Sequence, residues 1–286
     1  MKILIIGGSR FMGPLLVGAL SSRGHAVTVF NRGTRDIKWP KGITVVQGDR
    51  NEGFKFSESL DAVIDTCAYS PEHIERVFKD IQTDYYLFVS SAAAYKKAYI
   101  FPITEESPLG EWPLWGDYNA AKVACEKYLE KSGKPYGGIR PVYILGKKNH
   151  VPRESFIYSA LRKRGTITLP GDGLALAQFV FVEEVVQAML LLAESKKEGS
   201  FNCCGNEAIT LQGLVEEMAK IVGVTANIEY DPGAAGENHE ESEFPFANEH
   251  FFCSNQKLKA LGVSFGPLIP NLKRDYEAYY EAITRP

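Results

Sequence analysis

The chain opens with Lys2-Ile3-Leu4-Ile5-Ile6, runs into Gly7-Gly8-Ser9-Arg10-Phe11-Met12-Gly13, and continues from Pro14 to Ser22 with apolar residues at helical spacing. Ile3 to Ile6 is continuously apolar rather than alternating, which predicts a strand covered on both faces. Gly7 to Gly13 reads as a turn, and the following helix is closed by Gly24. A buried strand, a glycine turn and a helix form the first half of a βαβ unit, and parallel strands of that kind need helices on both faces. In such a turn Gly7 allows the tight bend and Gly13 lets the helix lie close to the strand. The backbone N–H groups and the positive helix end then face an anion. At the first βα junction of a βαβ unit this predicts a dinucleotide pyrophosphate on residues 7–13.

The rhythm continues. Ala26–Phe30, Ile43–Gln47, Ala62–Thr66, Tyr86–Ser90 and Gly138–Arg140 read as further apolar strands, with helical stretches between most of them. Strand alternating with helix predicts an α/β fold, a doubly wound parallel sheet of Rossmann type. Beyond Gly146 the pattern loosens into helices at Ser155–Arg164, Glu183–Ser195, Leu211–Val222 and Leu272–Ile283 and strands at Phe179–Val182 and Ser200–Cys203, with an acidic, loop-like stretch at Gly233–His250. The expected division is a dinucleotide-binding domain over 1–145 and a smaller, mainly substrate-binding region over 146–286. Segments near 175–205 are expected to return to the first domain. A length of 286 residues accommodates both without disulfide staples.

The second strand ends in Asn31-Arg32, with Arg35 close behind. An NAD site places a carboxylate there for the ribose 2′-hydroxyl. A carboxylate repels a 2′-phosphate, whereas arginine binds it bidentately. Arg10, inside the glycine loop, offers a second guanidinium. NADP is therefore favoured, with NAD retained as possible; the plainer alternative makes Arg32 and Arg35 a solvated turn. Asp49, with Arg50 beside it at the end of the third strand, is a candidate partner for the adenine amino group.

Tyr118-Asn119-Ala120-Ala121-Lys122 opens a predicted helix, placing tyrosine and lysine one turn apart on one face. A free phenol titrates near ~10, and a lysine ammonium or a nicotinium ring beside it favours the phenolate. Ser90-Ser91-Ala92-Ala93-Ala94-Tyr95 lies at the carboxyl end of a strand, where ligands bind in open α/β sheets. A hydroxyl there can hold a substrate oxygen against Tyr118; the plainer alternative makes Ser91 a helix cap.

With these segments in order, the chain resembles the extended short-chain dehydrogenase/reductase superfamily, its NAD-dependent epimerase/dehydratase group, along nearly its whole length. Ile139-Arg140-Pro141, Phe179 to Glu184 and Phe201-Asn202 belong to the same pattern. The resemblance implies Tyr118 as general acid/base, Lys122 holding the nicotinamide ribose and tuning Tyr118, and Ser91 orienting substrate. It places Ser90, Cys67, Ala68 and Tyr69 beside the cofactor and Pro141 and Val142 near the nicotinamide. The implied activity is hydride transfer at a sugar-like hydroxyl or carbonyl, in an epimerase, dehydratase or reductase. A homodimer through the helices near Ile74–Ile81 and Tyr118–Ser132 is also implied.

The chain departs from the pattern at three places. Arg10 replaces the loop's middle glycine, Phe181 stands where histidine is common, and Ala177 and Gln178 stand where nucleotide-sugar enzymes carry an arginine. Lys147, Lys148 or Arg153 is the alternative source of that charge, against a solvated basic loop. The Arg-Phe-Met-Gly loop and the Phe-Asn-Arg turn resemble an atypical branch that includes the chloroplast stem-loop-binding proteins. That branch supplies a second reading, a non-catalytic nucleotide-sensing or RNA-associated protein.

A net charge of -3 and a pI near 6.0 leave no footprint for a polyanion, so nucleic acid is not an expected partner. The apolar start is shorter than the ~7–15 residues of a signal h-region, and no stretch reaches the ~18–20 of a membrane span. A soluble, cytoplasmic protein with five free thiols is expected. Trp112 and Trp115 either stack on a ligand or pack. His239 and His250, near Glu237, Glu240, Glu241 and Glu243, lack the spacing of a metal pair, so no metal is expected. The 233–250 stretch is expected to cover the active site, and Cys203 and Cys204 to pack in a strand.

Overall fold

The computed structural model describes residues 1–163, 166–234 and 236–284. Arg164, the last residue of one predicted helix, Ala235 in the acidic stretch and the side chain of Glu237 lie outside the described residues. The strands are β1 (Lys2–Ile6), β2 (Ala26–Asn31), β3 (Thr44–Gln47), β4 (Ala62–Asp65), β5 (Tyr86–Val89), β6 (Tyr136–Pro141), β7 (Tyr143–Leu145), β8 (Thr166–Pro170), β9 (Leu176–Phe181), β10 (Gly199–Cys203), β11 (Ala208–Thr210) and β12 (Asn227–Asp231). The helices are α1 (Met12–Ser22), α2 (Pro71–Asp80), α3 (Gly116–Ser132), α4 (Glu154–Lys163), α5 (Val182–Ser195), α6 (Leu211–Val222), α7 (Gln256–Ala260), α8 (Leu268–Asp275) and α9 (Glu281–Ile283), the last two joined by a π turn over Tyr276–Tyr280.

Seven strands form one parallel sheet in the order β10-β6-β5-β4-β1-β2-β3. Its centre is the apolar run seen at the N-terminus: Ile3, Leu4, Ile5 and Ile6 are at most 1% exposed. Each such side chain contributes on the order of 1.5–3 kcal/mol by leaving water. Strand order reverses between β1 and β4, and a crevice opens there at the carboxyl ends of the strands, the place where open α/β sheets bind ligands. Helix α1 starts at Met12, two residues earlier than its apolar spacing predicts. Pro14 is tolerated because first-turn N–H groups have no intrahelical acceptor.

The later part of the chain is partly woven into this sheet. β10 adds to β6, and α5 packs against α1. β9 instead joins β7 and β11 in a separate three-stranded sheet, and β8 pairs with β12. Of these, β8, β11 and β12 escape the sequence pattern because they bury few side chains, Ile167 and Leu169 in β8 and none fully in β11 or β12. The 233–250 stretch is not an exposed acidic loop throughout. Phe244 and Phe246 are 1% exposed; Phe246 packs on Tyr143 and Phe179 and Phe244 on Phe156, fastening the segment to the core.

Candidate active site

A cleft of about 920 Å³ runs from the end of β2, across the glycine loop, to the segments that follow α3 and β6. It brings together Gly7, Gly8, Ser9, Arg10, Phe11, Met12, Asn31, Arg32, Arg35, Asp49, Arg50, Cys67, Tyr69, Ser90, Ser91, Tyr118, Lys122, Pro141 and Val142. Of the expected contacts only Gly13 and Ala68 stand behind its surface. Gly13 is a packing residue: a Cβ there would lie 2.1 Å from the Gly8 carbonyl oxygen. Ala68 contributes its carbonyl, which accepts a hydrogen bond from Lys122.

The glycine loop is fixed from below. The Gly7 N–H donates to the Phe30 carbonyl at 2.9 Å, and the Gly8 N–H to Thr66 Oγ1 at 3.1 Å. Both glycines have positive φ, and a Cβ on Gly7 would meet Thr66 Oγ1 at 2.5 Å. Phe11 caps α1 without a side-chain hydrogen bond, and the first turn carries no acidic residue. Within that turn the Gly13 N–H donates to the Arg10 carbonyl at 2.8 Å and Pro14 has no N–H, so the Met12 N–H and the positive helix end are what remain for an external anion. This cradle, with Gly7 and Gly13 admitting no side chain, fits a dinucleotide diphosphate.

Arg32, Arg35 and Arg10 are exposed along the cleft, and among the described residues none of them forms an ion pair. Asp49 is only partly free for adenine, because its Oδ1 accepts the Asn51 N–H at 2.8 Å and caps the turn Arg50–Glu52. Arg50 differs from its expected role. Its guanidinium is bidentate to the fully buried Asp65 at 3.0 and 2.8 Å and also donates to the His73 carbonyl and Cys67 Sγ. Tyr86 donates to the same carboxylate at 2.9 Å. An arginine so occupied walls the cleft and has little left for a ligand. Burial pushes the Cys67 thiol up to about 11, so it is no nucleophile at neutral pH.

At the other end Ser91 is a cap: its Oγ accepts the Ala93 N–H at 3.1 Å, fixing the turn Ala92–Ala94, and it lines the cleft beside Tyr118. Lys122 is 3% exposed; its Nζ donates to the Ala68 and Val89 carbonyls at 3.0 and 2.9 Å. Burial holds its pKa down to about 8. Burial pushes Tyr118 above the ordinary tyrosine value, and the opposing pulls come from Ser91 and Arg153. The Lys122 ammonium sits 5.8 Å from the phenol ring centroid. The Ser90 hydroxyl donates to Glu126, whose carboxylate is also bound by Arg140 on β6.

Trp115 lines the cleft with Tyr143 and Phe251, ring centroids 5.8 and 5.2 Å away, whereas Trp112 is buried. Of the three basic residues in the 147–153 segment, Arg153 alone lines the cleft; Lys147 lies near Asp275. Asn149 and His150 also line it and were not singled out from sequence, where their only signal was membership of a polar segment; Glu241, from the stretch expected to cover the site, lines it as well. Among the described residues no group of three His, Cys, Asp or Glu side chains is placed to hold a metal, and no helix is long and apolar enough to cross a membrane.

Residues 71–204 match the model of the NAD dependent epimerase/dehydratase family. The chain is 29% identical to the chloroplast stem-loop binding protein of 41 kDa b of Arabidopsis thaliana, over 90% of this chain and 73% of that protein. It is 27% identical to a UDP-glucose 4-epimerase of Lactobacillus helveticus, over 83% and 86% of the two chains. The fold superposes on the UDP-glucose 4-epimerase of Thermotoga maritima, crystallised with UDP-glucose, with a TM-score of 0.76 over 99% of this chain and 100% of that one, at 20% identity. The matched stretch, just under half of the chain, carries Ser91, Tyr118 and Lys122, and over it the chain is similar to the NAD dependent epimerase/dehydratase family.

Proposed function

We propose that this protein is an NADP-preferring epimerase, dehydratase or reductase that acts on a sugar-like hydroxyl or carbonyl. The observation that carries the reading is the meeting of Ser91, Tyr118 and Lys122 in the cleft that begins at the glycine loop. When bound, the nicotinamide ring supplies the hydride chemistry. The loop 7–13 and the first turn of α1 would hold its diphosphate, Arg32 and Arg35 the 2′-phosphate, and Lys122 the nicotinamide ribose. Tyr118 exchanges the proton of the substrate oxygen, because its hydroxyl stands at the mouth of that cleft. Ser91 holds the same oxygen, pre-set by the Ala93 N–H that fixes its rotamer. The aromatic wall of Trp115, Tyr143 and Phe251 suits the apolar face of a sugar ring. A homodimer through α2 and α3 belongs to the same proposal, and sedimentation across a concentration series tests it.

Tyr118→Phe is the decisive variant. With UDP-sugars as probes, turnover is expected to fall by about 10²–10⁴-fold while NADPH binding is retained. Unchanged turnover excludes acid/base work by this phenol. The name of the Arabidopsis relative favours a second reading, a non-catalytic, RNA-associated protein. On that reading Tyr118→Phe leaves the biological activity intact, and a stem-loop RNA binds the wild type.

A further inference from the structure

The loop from Gly146 to Arg153 lies outside the dinucleotide half of the sequence, yet Asn149, His150, Val151 and Arg153 from it line the cleft. It is braced rather than slack. Glu154 accepts the Gly146 N–H, Tyr280 donates to the Gly146 carbonyl at 2.7 Å, and Asn149 donates to the Ile144 carbonyl at 3.0 Å and accepts the Val151 N–H at 3.1 Å. Arg153 is tied to the same Ile144 carbonyl at 3.1 Å, while its Nε is buried without a partner.

The brace sets the His150 ring edge-on against Phe11, centroids 6.1 Å apart. Phe11 is the cap of α1 and is held at φ 45°, a backbone state that costs a non-glycine residue on the order of 1–3 kcal/mol. His150 therefore stands over the glycine loop, with Arg10 of that loop, Arg35 of the turn after β2 and Arg153 of its own loop around it. Burial and these three charges push the imidazole below its ordinary range. Arg10, Arg35 and Arg153 line the same cleft as His150 and form no ion pair among the described residues, which suits an anion with more than one charge.

We propose that His150 is a ligand of the dinucleotide diphosphate and that the Gly146–Arg153 loop is the second wall of its site. The inference rests on the dinucleotide reading above. Among arginines the imidazole is neutral near pH 7; two phosphate charges against the ring offset that field, and the ring takes up a proton from solvent and donates a charged hydrogen bond to a phosphate oxygen. Affinity is then greatest at low pH and falls as pH rises through the value of the bound state. His73, Asp49, Glu241, Tyr69 and Tyr118 also line the cleft. Comparison with a His150 variant subtracts their share.

The test is titration of NADPH, NADH and UDP against the wild type, His150→Phe and His150→Lys at about pH 6 and about pH 8, the range in which imidazole titrates. The wild type is expected to bind both dinucleotides about tenfold more tightly at the lower pH, one pKa unit of coupling. NADH carries no titrating phosphomonoester, so its arm is decisive. His150→Phe keeps the ring contact with Phe11 and is expected to lose that difference. His150→Lys is expected to restore tight binding at the higher pH without the pH dependence. Wild-type behaviour in His150→Phe overturns the inference. A pH dependence confined to NADPH assigns His150 to the 2′-phosphate, and one confined to UDP assigns it to the substrate; either overturns the diphosphate assignment. A wild type that binds neither dinucleotide overturns the underlying reading together with it.

Discussion

Lys122 is a cation buried on carbonyls rather than on a carboxylate, and its environment can be read out by titration. Its folded value of about 8 lies below the ordinary lysine value of 10.5. Below about pH 8 both folded and unfolded chains hold the proton, and the full cost of burying the charge is present. Between the two values the folded chain has released the proton and the unfolded chain has not, so stability rises with pH. Urea unfolding should show the wild type gaining on the order of 2–3 kcal/mol relative to Lys122→Met as pH passes through that interval. A constant difference would mean that Lys122 keeps its proton. The arginines at the far end of the cleft call for a binding measurement. The double change Arg32→Ala with Arg35→Ala should weaken NADPH by about tenfold or more and leave NADH nearly unaffected, as expected if the guanidinium groups hold a 2′-phosphate. Equal weakening of both ligands would assign the two arginines to the diphosphate, and no weakening of either would make them a solvated turn.

At the scale of elements, α3 is tied to the sheet by a buried polar chain. Glu126 accepts from Arg140 of β6, from Ser90 after β5 and from Ser200 of β10; Arg140 also donates to the Tyr95 hydroxyl, which donates to Asn202. This network sets the height of the helix that presents Tyr118. Arg140→Met leaves the Glu126 carboxylate buried and unpaired and should cost about 3–5 kcal/mol. Adding Glu126→Leu should recover much of that loss, and urea unfolding of the three proteins checks it. None of this pairing was legible in the sequence, because it depends on which strands become neighbours. The same holds for Arg50, whose Asp65 partner is brought alongside by the parallel sheet, and for Phe244 and Phe246, which turn an acidic-looking stretch into a fastened one. What was legible has local causes. Ile3 to Ile6 needs no partner to read as a buried strand, Gly7 and Gly13 mark close backbone approach, and the four-residue spacing of Tyr118 and Lys122 is a property of any helix.

The fold runs across the division expected near residue 145. The glycine loop, Ser91, Tyr118 and Lys122 all precede that point, yet β10 supplies the edge strand beside β6, and α5 covers α1. Leu16, Val17 and Leu20 of α1 are fully buried in the same cluster as Val185, Met189 and Leu192 of α5. Asn202 on β10 also completes the polar chain that begins at Ser90. A fragment ending at Leu145 would expose this apolar face, leave the backbone of β6 unpaired on one side and strip Tyr95 of its acceptor. Each exposed side chain forfeits on the order of 1.5–3 kcal/mol, and a domain's net stability is only about 5–15 kcal/mol. The fragment is therefore expected to lack a cooperative urea transition and to bind no NADPH, although it contains nearly every residue proposed to contact that ligand. The intact chain should melt in one transition that NADPH shifts upward as a unit, by mass action on the folded state. A folded, NADPH-binding fragment, or two separate transitions in the intact chain, would show that the halves fold independently and that the later strand and helix are only docked on the first.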